Sequence, residues 1–172
     1  MATSGCQSRS FDGWMLLLRD FGTFEPADVL EPAIGYAEQG YPVVPGMTRT
    51  IELTQELLRG WPGSTELYLP AASTGLRKSV PVLAAAYRGI LDEAGTGGDR
   101  ESRIERARAA FYRGSVAETI DGFSREHDGL LTGDDLAPWE ASLEPPATFD
   151  YHGYTVCKTA PWGQGPVFLQ QL

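Results

Sequence analysis

Leu83, Ala86, Tyr87, Ile90, Leu91 and Ala94 recur with a helical period across three turns. A stripe of that kind is stable only when a neighbouring element covers it, so this segment commits the chain to a helical core. The linker Gly95-Thr-Gly-Gly98 ends the helix. Asp99 then supplies a cap for a second, highly charged helix running towards Tyr112.

Shorter helices surround this pair. Trp14, Leu17, Leu18 and Phe21 fall at i, i+3, i+4 and i+7, which predicts one buried stripe ended by Gly22. The next helix carries Pro26 in its first turn and is expected to bury Val29, Leu30, Ala33, Ile34 and Ala37. It stops at Gly40, and Pro32 inside it predicts a kink or a broken turn. A weaker helix covers about Thr48 to Arg59, closed by Trp61-Pro-Gly63, and a short strand is expected over Glu66 to Leu69. Ser115 with Glu118 reads as a capping box for a helix carrying Val116, Ile120 and Phe123.

The texture changes at Pro145-Pro146. Phe149 and Tyr151, then Tyr154 and Val156, alternate with polar residues on either side of His152-Gly153, which predicts two short strands around a tight turn. After Pro161-Trp-Gly-Gln-Gly165, an apolar stretch from Val167 to Leu172 reads as the start of a helix without a cap, the pattern of a chain cut short.

Charge and composition exclude several functions. The chain has 172 residues, 14 basic and 23 acidic, for a net charge of −9. Nucleic acid needs a clustered basic surface and is not an expected partner. The Arg-dense stretch from Arg100 to Arg113 is interrupted by Glu101 and Glu105 and reads as a solvated helix face. No apolar run is long enough to span a membrane, and Trp14 to Leu18, flanked by charges, does not form a signal-peptide core. A cytoplasmic location is the default expectation.

Candidate chemistry is sparse. Gly95 to Asp99 follows a helix rather than a strand and lacks a Lys-Ser/Thr pair, so it reads as a connection and not a phosphate cradle. Asp92-Glu93 and Asp134-Asp135 lie at helix ends, with Thr132-Gly-Asp-Asp135 resembling a helix start. His127 and His152 have no nucleophile motif beside them, and Cys6 and Cys157 have no metal-ligand spacing. Trp14 is expected in the core, while Trp61, Trp139 and Trp162 each sit beside proline. Trp162 is the one tryptophan held open for a ligand.

Several short motifs, each weak alone, occur in a fixed order. They are Asp12-Gly-Trp14, Phe21-Gly-Thr23, Val29-Leu-Glu-Pro-Ala-Ile34 and Tyr36-Ala-Glu-Gln-Gly-Tyr-Pro-Val43. Ala110-Phe-Tyr-Arg-Gly114 with Ala117-Glu118 follows, then Gly129-Leu-Leu-Thr132 with Asp134-Asp-Leu136, Asp150-Tyr-His-Gly-Tyr-Thr-Val156 and Pro161 to Gly165. From Ser10 onward this order resembles the large subunit of the γ-glutamyltransferase (γ-glutamyl transpeptidase) family. The resemblance implies an N-terminal-nucleophile hydrolase made by self-cleavage, whose exposed Thr uses its own α-amine as base. It implies γ-glutamyl transfer from glutathione-like small molecules through an acyl-enzyme, with an oxyanion hole.

The implied fold class is α+β: a mostly helical piece with a short C-terminal strand pair, drawn from an αββα sandwich. The implied domain division is a non-matching segment over 1–9 and a partial large-subunit domain over 10–172, truncated at its C-terminus. The departures shape what is expected of this chain. The family's Thr followed by Thr or Ser and an aromatic residue or His is absent, and its nearest imitation, Thr3-Ser4-Gly5, leads into no strand. Gln7-Ser8-Arg9 stand where the family has Val-Pro-Gly, and the family's substrate-carboxylate Arg belongs upstream of Ser10. No catalytic, cofactor-binding or metal-binding residue therefore carries over to a numbered position, and no cofactor is expected. The expected partner is the nucleophile-bearing small subunit. A split enzyme, a related acylase and a non-catalytic helical binding module are the alternatives.

Overall fold

The computed structural model describes residues 8–71 and 77–172, which fall into two compact units, one ending at Trp139 and one comprising Glu140–Leu172. The N-terminal imitation at Thr3-Ser4-Gly5, Cys6 and most of the 1–9 segment lie outside the described residues.

The first unit is helical, and proline sets where its helices begin. Pro26, Pro45, Pro62 and Pro81 open α2 (Pro26–Gln39), α3 (Pro45–Arg59), α4 (Pro62–Tyr68) and α5 (Pro81–Ala94). A first-turn N–H has no helical partner, so proline loses nothing there. The remaining helices are α1 (Ser8–Phe21), α6 (Arg100–Arg113), α7 (Ser115–Glu126) and α8 (Gly133–Leu136). Helix α2 runs unbroken through Pro32.

Helix α5 lies between α2 and α6, and α6 also packs on α1 and α7. Leu30, Ile34 and Ala37 of α2 meet Ala84 of α5, with Tyr87 and Leu91 against them. Ile90 and Ala94 meet Ala107 and Ala110 of α6, and the small alanines permit close approach of the two helices. Phe11 of α1 stacks on Phe111 of α6 with ring centroids 4.6 Å apart. A satellite core of Val43 and Ile51, flanked by Met47, Leu58 and Leu69, holds α3.

Several expectations fail for identifiable reasons. The Trp14 stripe faces away from this core: Asp12, Met15 and Leu16 are buried instead, and Trp14 is 65% exposed. Val29 and Ala33 are likewise exposed, because α5 covers only the Leu30, Ile34 and Ala37 side of α2. Glu66 to Leu69 continues α4 into a 3-10 turn at Leu69–Ala71 rather than forming a strand. Ser115 begins α7 as a helical residue, and its hydroxyl donates to Glu93 at 2.8 Å instead of capping its own helix.

In the second unit, β3 (Ala147–Tyr151) and β4 (Tyr154–Lys158) pair antiparallel, with Ala147 opposite Lys158 and Tyr151 opposite Tyr154. The two-residue turn has positive φ at both His152 (48°) and Gly153 (86°), which matches the twist of the hairpin. A 3-10 turn at Pro161–Gly163 then leads through left-handed Gln164 into α9 (Gly165–Leu169). The expected hairpin and final helical turn are therefore both present.

Candidate functional site

The arginines of α6 do more than solvate a helix face. Arg100 donates to the carbonyls of Leu18 (3.0 Å) and Arg19 (2.8 Å) at the end of α1. Arg103 grips Glu25, just before α2, with two bonds of 2.9 and 2.6 Å. Arg106 donates to Ala94 and Gly97 at the end of α5. Arg108 holds the buried Asp12 of α1 and also reaches Glu105. Arg100 and Arg106 meet the negative dipole ends of α1 and α5, and with the Arg103–Glu25 pair ahead of α2 they let α6 tie three helices together. The expectation of a solvated arginine face is overturned by these long-range pairs.

The same contacts settle the glycine loop. Arg103 and Arg106 draw the carbonyls of Gly98 and Gly97 towards themselves, and the Asp99 side chain accepts from the Ser102 N–H at 2.7 Å. A phosphate cradle needs inward N–H groups; this loop presents carbonyls. Asp135 closes a capping box with Thr132, which accounts for one of the two acidic pairs.

His127 ends α7, with its ring 4.3 Å from the Phe123 centroid and 5.8 Å from that of Trp61. His152 occupies the hairpin turn of the other unit. Trp162 is exposed and donates to Glu144 at 2.9 Å. Among the described residues, no group of three or more His, Cys, Asp or Glu is placed to hold a metal ion. No helix there is long and apolar enough to cross a membrane.

What the structure does assemble is a groove of about 730 Å³ between α4, its 3-10 turn and the start of α5. One side of it is lined by β2 (Arg77–Lys78), which pairs antiparallel with β1 (Tyr41–Pro42). Helix α2 positions this pair. Val80 N–H donates to Ala37 O at 2.7 Å, and the Arg77 guanidinium donates to the carbonyls of Gln39 and Gly40. Gly40 sits at φ 83°, and a Cβ there would lie 3.2 Å from Arg77 and Lys78, so only glycine fits easily.

Register then brings Lys78 in, 8% exposed, among Leu67, Pro70, Val80 and Leu83. Its ammonium donates to the Leu67 carbonyl and lies 5.4 Å from the Tyr68 ring centroid. Burial alone pushes its pKa below the ordinary lysine value. Leu83, expected in the core, is a wall of this groove. Sequence reasoning missed Lys78. Its one signal was being one of only two lysines, set in an apolar neighbourhood.

The profile of the family described as Gamma-glutamyltranspeptidase matches residues 10–172. A glutathione hydrolase-like YwrD proenzyme of Bacillus subtilis (strain 168) is 29% identical over 154 residues, covering 90% of this chain and 27% of the relative. The acylase ACY 1 proenzyme of Pseudomonas sp. (strain SE83) is 29% identical over 163 residues, covering 93% of this chain and 27% of the relative. The solved structure of LmbA2991HD superposes with a TM-score of 0.86 at 44% identity, covering 94% of this chain and 30% of that one. The chain thus spans about a quarter of the length of the curated relatives it matches.

Proposed function

Because this chain belongs to the gamma-glutamyltranspeptidase family, we propose that it is a scaffold part of an enzyme acting on γ-glutamyl groups of glutathione-like compounds. In this reading residues 10–172 form part of a large-subunit domain, and the nucleophilic threonine is carried by a separate segment. The observation that carries the reading is the family match across residues 10–172, set against relatives of which this chain covers 27%. The absence of a nucleophile–base pair from its motifs agrees with it. Its contribution is rigidity: α6 locks α1 and α2 with buried and half-buried ion pairs and holds the end of α5 through Arg106, the support a precisely placed site needs.

A second reading has its own observation. The likeness to an acylase proenzyme is as high as that to the glutathione hydrolase-like one, so an acyl group other than γ-glutamyl is the alternative substrate class. Both readings share the same division of labour.

The test is reconstitution. The chain alone, and the chain mixed with a polypeptide carrying the family's nucleophile segment, are assayed for hydrolysis of glutathione, a chromogenic γ-glutamyl anilide and a β-lactam side-chain amide. The expected result is turnover only in the mixture, with preference for the γ-glutamyl substrates. Turnover by the chain alone, or none in a mixture shown to associate, overturns the scaffold reading. Preference for the β-lactam amide selects the acylase.

A further inference from the structure

Among the described residues, the groove over Lys78 contains a charge without a counter-charge. An ammonium has three donors; among the described residues this one meets the Leu67 carbonyl and the face of Tyr68. Among the described residues no carboxylate forms an ion pair with it, and Glu66, which also lines the groove, is exposed. The two stretches outside the described residues, 1–7 and 72–76, contain no Asp or Glu in their sequence. A buried cation of this kind is costly unless something negative meets it.

The walls determine what that partner is. Pro70, Val80, Val82 and Leu83 are apolar, and the volume lies within the range of about 300–1,000 Å³ usual for small-molecule sites. Arg77 lines the same groove, but it is exposed and water solvates its guanidinium, so Lys78 is the buried cation there. One cation suits one negative charge rather than a phosphate dianion. We propose that this groove binds a small monocarboxylate with an apolar tail, its carboxylate on Lys78 and its tail along Val80, Val82 and Leu83. The assignment is independent of the γ-glutamyl reading, since it uses neither the nucleophile nor the family's substrate.

Calorimetric titration of the full chain with decanoate, below its micelle concentration, tests this directly, with decanol and decyltrimethylammonium as controls. The expected result is saturable one-to-one binding of decanoate, at least ten-fold tighter than either control. Lys78→Met keeps the apolar stem and removes the charge; it is expected to bind decanoate no better than decanol. Val82→Asp, at a position 82% exposed, adds a negative charge to the wall without touching the core and is expected to weaken decanoate binding as well. Circular dichroism establishes that each variant is folded, and if Lys78→Met is not, Val82→Asp decides. Equal binding of decanoate and decanol, no saturable binding, or decanoate affinity unchanged in the folded variants overturns the proposal. Protection of Lys78 from acetylation by the nucleophile-bearing polypeptide, with no decanoate binding, assigns the groove to that polypeptide and overturns it equally.

Discussion

Asp12 of α1 and Arg108 of α6 form a two-pronged ion pair across 96 positions of sequence, with one bond of 2.9 Å and Asp12 1% exposed. The Asp12 carboxylate, with Glu105 beside it, holds the Arg108 guanidinium protonated more firmly than usual. The Asp12 backbone N–H donates to the Tyr112 hydroxyl at 3.1 Å, so the charge sits inside a polar knot that joins the two helices.

Asp12→Ala is therefore expected to destabilise the first unit by about 3 kcal/mol, the lower end for breaking a buried pair, because Glu105 still meets part of the stranded guanidinium. Urea unfolding measures it. The double variant Asp12→Ala/Arg108→Met is expected to recover part of the loss, since the uncompensated charge is gone. A double variant less stable than the single one would show that the pair acts through packing instead.

Acid should weaken this fold through identifiable carboxylates. Hydrogen bonds from Arg103, Arg88 and Arg19 hold Glu25, Glu38 and Asp20 below their ordinary pKa values, and bonds from Ser102 and Thr132 do the same for Asp99 and Asp135. A carboxylate with a lower pKa in the folded state binds fewer protons than in the unfolded chain. Its stabilisation is complete above the unfolded value and is lost as pH falls through the folded one. Urea midpoints are expected to stay level down to about pH 5 and then decline. Arg103→Met and Arg88→Met together should make that decline shallower.

The outward stripe of α1 predicts a separation of stability from association. Trp14, Leu17, Phe21 and Val29 are exposed and line a shared depression. Trp14→Ser with Phe21→Ser is expected to change stability by no more than about 0.5 kcal/mol per site. Sedimentation velocity should show reduced self-association, as expected on removing an apolar patch. A large loss of stability would place the stripe in a core after all.

In the second unit, Gly165 is buried where α9 begins, and a Cβ there would run into the Thr159 carbonyl. Gly165→Ala is expected to open the turn and release the Trp162 indole from Glu144. The shift of the Trp162 indole N–H signal in an amide-proton NMR spectrum reads this directly. An unchanged signal would mean that Thr159 yields.

Much of this was legible locally. The α5 period, the Asp99 cap, the Thr132 helix start and the His152-Gly153 turn each depend on residues within a few positions of one another, and the ordered motifs carried the family. Sequence determined where most of the helices and the hairpin begin and end, because helix caps, turns and prolines act over one or two turns of backbone. Tertiary structure decided which side of each element is buried. Helix α1 is amphipathic, and its apolar stripe at Trp14, Leu17 and Phe21 is exposed while Met15 and Leu16 are buried. The buried face also carries Asp12, whose charge is matched by Arg108 on the distant α6. The same holds at Lys78, which pairing with β1 sets opposite Tyr41 and whose ammonium meets the Leu67 carbonyl. Pairings across tens of residues leave no period or spacing in a sequence; they exist only once the helices have packed.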